Sequence, residues 1–179
     1  YSHISWMHCE TTVDVEGNWK QSYRALERLY EEGKILSIGV SNFDIKLLEQ
    51  LRQFAKIMPH VVQNQADIMI HDIEVRKWCD KYKVVYIPYA TGRNIKNLQP
   101  QIFEFVNGMS KKYNVSNNAL ISQYFLQTGA VIIPRTTIKK HLQENINLLS
   151  WKLDESDFIA LTQAKDIKPP EESTEQCDA

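Results

Sequence analysis

Short runs rich in β-branched residues alternate along this chain with longer stretches whose apolar positions recur every three or four residues. The runs at residues 4–8, 35–40, 61–65, 84–89 and 131–134 predict five strands, each apolar on both faces, as strands of a helix-covered parallel sheet are. Between them the helical period is plain. Trp19, Tyr23, Leu26 and Tyr30 share one stripe of a first helix, which Gly33 ends because a residue without a Cβ suits a left-handed cap. Asp44 is placed to cap a second helix carrying Leu47, Leu48, Leu51 and Ala55, with Pro59 just beyond it, and Asp72 a third carrying Val75, Trp78, Cys79 and Tyr82. Further helices group Ile102, Val106, Met109 and Tyr113, then Leu120, Tyr124 and Phe125 after a Ser116 cap. Another groups Ile138, Leu142, Ile146 and Leu149 on one stripe, and Asp154 caps a last, short one containing Phe158, Ile159 and Leu161.

Strand and helix in strict alternation predict βα units around a parallel sheet. Five strands joined by about four crossovers fall short of a closed eight-stranded barrel, which takes ~250 residues, and this chain has 179. Two α/β architectures remain open on periodicity alone: an open doubly wound domain, or strands four to eight of a (β/α)8 TIM barrel without its first three units. Residues 1–165 form one domain on either reading. Residues 166–179, with Pro169-Pro170 and Glu171-Glu172, form a polar and mobile tail. The chain opens on Tyr1 inside a predicted strand, which suggests upstream sequence.

Charge narrows the partners. With 21 basic and 22 acidic residues there is no broad field to gather nucleic acid or anionic lipid, and no apolar run approaches the ~20 residues of a membrane helix. Three scattered cysteines, Cys9, Cys79 and Cys177, make no disulfide framework, and the chain is placed in a cytoplasmic, reducing compartment. His3, His8 and Cys9 lack zinc-finger spacing, so no metal site is expected. The triplet Asn114-Val115-Ser116 matches a glycosylation sequon, but Ser116 reads as a helix cap. There is no G-x-G-x-x-G, no phosphate-binding P-loop and no nucleophile elbow.

Candidate chemistry lies where the strands end, since parallel α/β sheets bind ligands at the carboxyl ends of their strands. Every predicted strand ends in a polar group: His8, then Ser41-Asn42, Asn64-Gln65, Tyr89 and Arg135-Thr136-Thr137. The fold aims all five at one cleft.

These residues stand in recognisable contexts. The segment from Leu29 to Phe43 runs from Glu32-Gly33-Lys34 into Gly39-Val40-Ser41-Asn42-Phe43, and Val131-Ile132-Ile133-Pro134-Arg135-Thr136 precedes Glu144-Asn145. Both resemble signatures of the aldo-keto reductase family, in order and at familiar separation, with Asn64-Gln65 and Tyr89 between them. The resemblance covers residues 3 to about 165 and favours the incomplete barrel. It implies an NADPH-dependent oxidoreductase that reduces aldehydes or ketones to alcohols. Ser41, Asn42 and Gln65 would hold the nicotinamide carboxamide, and Tyr89 would stack under the ring. Arg135 and Thr136 would grip the adenosine phosphate, and Glu144 with Asn145 would reach the adenine. His8 resembles the active-site histidine that orients the substrate carbonyl.

The chain departs from the family pattern in four places. The loop after Tyr89 reads Ala90-Thr91-Gly92-Arg93-Asn94 in place of S-P-L-G, which removes a hydroxyl contact to the cofactor's pyrophosphate. His141 stands where many members have an arginine near the 2′-phosphate, which weakens NADPH selectivity. Residues 66–70 lack the family's E-x-H-P continuation, which suggests a rebuilt substrate loop. No tyrosine here matches the family's general acid, so the catalytic tyrosine, lysine and aspartate are expected in upstream sequence that completes the barrel. Alternatives are a non-catalytic regulatory or binding subunit and an inactive truncated product.

Overall fold

The computed structural model describes residues 4–8, as backbone, and residues 19–167. The His8 side chain, Cys9, Cys177 and the expected tail from residue 168 onward lie outside the described residues. The chain runs β1 (Ile4–His8), α1 (Trp19–Glu31), β2 (Ser37–Ser41), α2 (Ile45–Phe54), β3 (Val61–Gln65), α3 (Ile73–Tyr82), β4 (Val85–Tyr89), α4 (Pro100–Lys112), α5 (Asn117–Gln127), α6 (Lys139–Asn147) and α7 (Glu155–Thr162). The four strands form one parallel sheet in chain order. His8 lies opposite Ser41, Ser41 opposite Gln63, and Gln65 opposite Tyr89, so the strand ends named above share one edge of the sheet.

The helices form where the apolar stripes required them. Tyr23 of α1, Leu48 and Leu51 of α2, Val75 and Trp78 of α3, Ile102 and Val106 of α4, and Leu120 and Phe125 of α5 are buried against Ile38, Val40 and Val62 of the sheet. Asp44 Oδ1 accepts from Leu47 N at 2.8 Å and Ser116 Oγ from Ala119 N at 3.2 Å, so both act as caps, and Gly33 takes φ +68°. Burial pushes the Cys79 thiol up to about 12, which keeps it an inert apolar filler. Among the described residues no helix is long and apolar enough to cross a membrane.

Sequence periodicity did not reveal the clamp that joins α1 to the end of α2. Buried Glu27 accepts from Lys56 N at 2.7 Å and Ile57 N at 2.9 Å, while Arg24 donates to Glu27 at 2.7 Å and to the Phe54 carbonyl at 2.8 Å. Backbone groups just past the end of α2 are thereby satisfied by a side chain from another helix.

Three expectations are corrected. Residues 131–134 are extended chain rather than a fifth strand. Val131 N donates to Tyr86 O at 3.0 Å, but Pro134 has no N–H to extend a ladder, and Val131 and Ile133 stay exposed. Neither Asp72 nor Asp154 makes a side-chain cap bond: Asp72 sits at φ +48° and turns its carboxylate to Asn64 Nδ2 at 3.0 Å and Tyr86 Oη at 2.8 Å, and the Asp154 carboxylate faces Lys112 Nζ at 3.5 Å. The stripe of Ile138, Leu142, Ile146 and Leu149 is turned outward, with Leu142 54% and Leu149 84% exposed. At 100° per residue, the face of α6 carrying His141, Glu144, Asn145 and Leu148 lies one residue further round, and that face meets the body of the molecule.

One buried polar pair carries a pH dependence. His71, on the loop after β3, shares a 2.9 Å hydrogen bond between Nδ1 and Tyr124 Oη, and its Nε2 is buried with no partner. Burial is the first cause holding its pKa below the ordinary imidazole range, followed by the charges of Arg76 and Lys165, with Asp67 opposing them. The folded state therefore disfavours the proton, which the unfolded chain takes up near pH ~6.5. Stability falls as pH drops below that value and stops falling once the folded ring is itself protonated. The contribution is at most ~1.4 kcal/mol per pH unit. Urea midpoints measured from pH 7.5 to 5.5 will decline less steeply for His71→Gln than for the native chain, and equal slopes would contradict the assignment.

Candidate functional site

The loop after β2 is held from both sides. Asn42 adopts φ +60°, a left-handed conformation that asparagine tolerates better than most residues, and its N–H donates to Gln63 O at 3.0 Å. Asn64, buried at the end of β3, accepts from Phe43 N at 3.2 Å and donates to Phe43 O at 2.8 Å and to Asp72. Residues 41–43 are thus positioned by the Asn64 side chain, whereas the sequence had singled out its neighbour Gln65. Ser41 is fully buried, and its hydroxyl finds no hydrogen-bond partner. An orphaned buried hydroxyl costs ~1–3 kcal/mol.

Tyr89 closes the next step of the edge. Its hydroxyl donates to Asn42 Oδ1 at 2.7 Å, joining two residues 47 apart in the chain. The backbone then turns sharply: Ala90 takes φ +60° and its carbonyl accepts from Arg93 N at 3.0 Å. A left-handed alanine costs ~1–2 kcal/mol, so the turn is held by its surroundings. Gly92 lies so near α5 that a Cβ there would stand 1.9 Å from Asn118 Oδ1.

Beyond this turn opens a cleft of about 440 Å³, lined in part by Tyr89, Arg135, Thr136, Glu144 and Asn145. These five come from β4, the extended chain after α5, and α6, and they bring aromatic, cationic and amide groups to one surface. Neither Arg93, which also lines the cleft, nor Arg135 has an ion-pair partner among the described residues. Glu144 accepts from Ser116 Oγ at 2.6 Å, which fixes α6 against the start of α5, and Thr136 Oγ1 accepts from Ile138 N at 3.0 Å while keeping its own O–H to donate. Asn42 and Gln65 line a second, more open groove of about 480 Å³. The Tyr89–Asn42 hydrogen bond links the two.

The expected residues thus fall into two adjoining groups, with Ser41 buried beneath and His8 placed by its backbone alone, beside Ser41. Asn64 was legible only as a polar strand end, and Arg93 only as part of a loop that departs from the family pattern. Among the described residues no group of three or more His, Cys, Asp or Glu side chains is placed to hold a metal ion.

A sequence model of the Aldo/keto reductase family matches residues 4–166. The chain belongs to the aldo/keto reductase family. A glyoxal reductase of Bacillus subtilis (strain 168) is 32% identical over 143 residues, 78% of this chain and 50% of the relative. The 9,11-endoperoxide prostaglandin H2 reductase of Trypanosoma cruzi (strain CL Brener) is 30% identical over 150 residues, 82% of this chain and 52% of the relative. This aldo/keto reductase chain spans about half the length of the curated relatives it matches. Among solved structures, an aldo-keto reductase from a Medee basin deep-sea metagenome library superposes with a TM-score of 0.78 at 25% identity, over 93% of this chain and 62% of that one. A Bombyx mori aldo-keto reductase in complex with NADP gives 0.80 at 19% identity, over 94% and 59%. The fold is accordingly an incomplete aldo-keto reductase barrel, a parallel sheet with helices that makes up part of the (β/α)8 ring.

Proposed function

We propose that this chain is the cofactor-binding part of an NADPH-dependent reductase of aldehydes or ketones. The observation that carries the reading is that Tyr89, Arg135, Thr136, Glu144 and Asn145, distant in sequence, line one cleft, with Asn42 tied to Tyr89 at its edge. Relatives named as glyoxal and prostaglandin H2 reductases support the chemistry, and neighbours crystallised with NADPH or NADP support the cofactor.

The residues fit that ligand. Ser41 offers the buried hydroxyl, and Asn42 and Gln65 the amide groups, that a carboxamide requires as donor and acceptor. Tyr89 offers a ring face held by its own hydroxyl, so that one face of a stacked nicotinamide is presented to substrate. The unpaired Arg135 guanidinium and the Thr136 O–H suit a 2′-phosphate, and Glu144 and Asn145 an adenine. When bound, the reduced nicotinamide supplies hydride to the carbonyl carbon. His8 is proposed to orient the carbonyl oxygen. Protonation of the developing alkoxide by a general acid is worth ~10²–10⁴-fold, and none of the tyrosines in this sequence stands in the family's general-acid context. A second reading, a non-catalytic binding subunit, draws on the departures at residues 66–70 and 90–94.

Quenching of tryptophan fluorescence tests the binding claim. NADPH will saturate the signal at tens of micromolar, and Arg135→Ala will remove about tenfold of any preference for NADPH over NADH, as loss of a charge-assisted phosphate contact does. No saturable change, or an unaltered preference, would defeat this reading.

A further inference from the structure

We propose that Asp67 and Asn94 are positioning residues: by joining the loop after β3 to the loop after β4, they set the wall of the cleft that Thr91, Gly92 and Arg93 form; this rests on the cofactor reading above. Neither Asp67 nor Asn94 itself lines the cleft or the groove at the strand ends. Asp67 is 4% exposed, and a carboxylate that deep is costly unless its oxygens are met. Its Oδ1 accepts from Met69 N at 2.8 Å and Ile70 N at 2.9 Å, which closes the loop after β3 on itself as an Asx turn does. Its Oδ2 accepts from Asn94 Nδ2 at 3.2 Å, across 27 residues of chain. Asn94 stands just before the short turn Ile95–Asn97, where an asparagine could cap, yet its side chain caps nothing there and reaches Asp67 instead. The segment from Tyr89 to Asn94 is thereby pinned at both ends to residues 66–70. At one end the Tyr89 carbonyl accepts from Ala66 N at 3.2 Å, and at the other Asn94 is bound to Asp67. Between them lies the left-handed Ala90, whose carbonyl accepts from Arg93 N, and this turn presents Thr91, Gly92 and Arg93 to the cleft. The far side leaves no slack, since Gly92 already abuts Asn118 of α5. A turn held in this way is formed before a ligand arrives. A released one has to be ordered at the moment of binding, and affinity falls. The two segments that depart from the family pattern, 66–70 and 90–94, are thus one mechanical unit.

The test compares the chain as given with Asn94→Ala, with Asn94→Asp, and with Asn94→Asp combined with Asp67→Asn. The first variant removes the bond between the loops, and the second sets another carboxylate against Asp67. The combined variant restores the bond with donor and acceptor exchanged. Amide hydrogen exchange at Arg93 and Asn97, whose N–H groups bond within this loop, reads its order in the unliganded chains. Tryptophan fluorescence reads the affinity for NADPH and NADH. Exchange at both amides will quicken in Asn94→Ala and further in Asn94→Asp, while the amides of β2 and β3 keep native rates. Both dinucleotides weaken together, by about threefold to tenfold in Asn94→Ala. The combined variant recovers native exchange and native affinity, a rescue that a role confined to stability would not give. Native affinity in Asn94→Ala overturns the proposal and leaves the cofactor reading intact. A combined variant that recovers the exchange rates but not the affinity also overturns it; if that variant does not fold, Asn94→Ala decides alone. If the native chain takes neither dinucleotide, the cofactor reading fails, and the exchange rates by themselves decide whether the two loops are joined.

Discussion

Replacing Asn64 by alanine lowers the unfolding free energy by about 3 kcal/mol, the largest effect expected of any single polar substitution at the strand ends. Asn64 satisfies both the N–H and the C=O of Phe43 in buried bonds and also donates to the half-buried Asp72. Alanine leaves the Phe43 N–H and C=O without a partner, while Asp72 keeps its bond from Tyr86, and a buried orphan costs ~1–3 kcal/mol, with partial relief as water enters. The loss is also functional. With Phe43 released, the left-handed Asn42 and the buried Ser41 lose their fixed positions, so the proposed carboxamide contacts weaken in parallel. Urea unfolding measures the first effect and NADPH titration of the still-folded variant the second. A stability change below ~1 kcal/mol would show that the loop after β2 is held by something other than this side chain.

The second large effect falls on Tyr89. Tyr89→Ala will weaken NADPH binding by about tenfold to a hundredfold, since stacking a base-like ring on an aromatic face is worth ~1–3 kcal/mol. Tyr89→Phe keeps the face and removes only the hydrogen bond to Asn42. It will cost binding a few-fold at most and stability ~1 kcal/mol or less. The ordering of the pair is the informative result. If phenylalanine were as damaging as alanine, Tyr89 would act through Asn42 and not through its ring.

Much of this was legible in the sequence, for a physical reason. The runs that became β2 to β4 are largely apolar and largely buried, so their polar ends stand out, and Ser41, Asn42, Gln65 and Tyr89 could be placed at one edge before any coordinates. Residues 131–134 look the same in sequence. They form no ladder beyond the single bond from Val131 N to Tyr86 O, since Pro134 has no N–H to extend one. Helix α6 was read from its apolar stripe, yet the face turned to the cleft is the polar one with His141, Glu144 and Asn145. A helix that lines a ligand site reverses the usual rule that its apolar side faces the body. Asp72 was read as a cap from its position before a helix, but its carboxylate is drawn to Asn64 and Tyr86, a tertiary pull with no local signature. Arg93 was visible only as part of a loop that departs from pattern, and the structure places it in the lining of the same cleft as Arg135.

One ligand is proposed to span the strand ends and the cleft together. A nitrogen-15 NMR titration of the chain with NADPH reads this residue by residue. Saturable shifts concentrated at Ser41, Asn42, Gln65, Tyr89, Arg135, Thr136, Glu144 and Asn145 are the predicted result. Binding that shifts only one of the two groups, or resonances on other faces of the molecule, would contradict it.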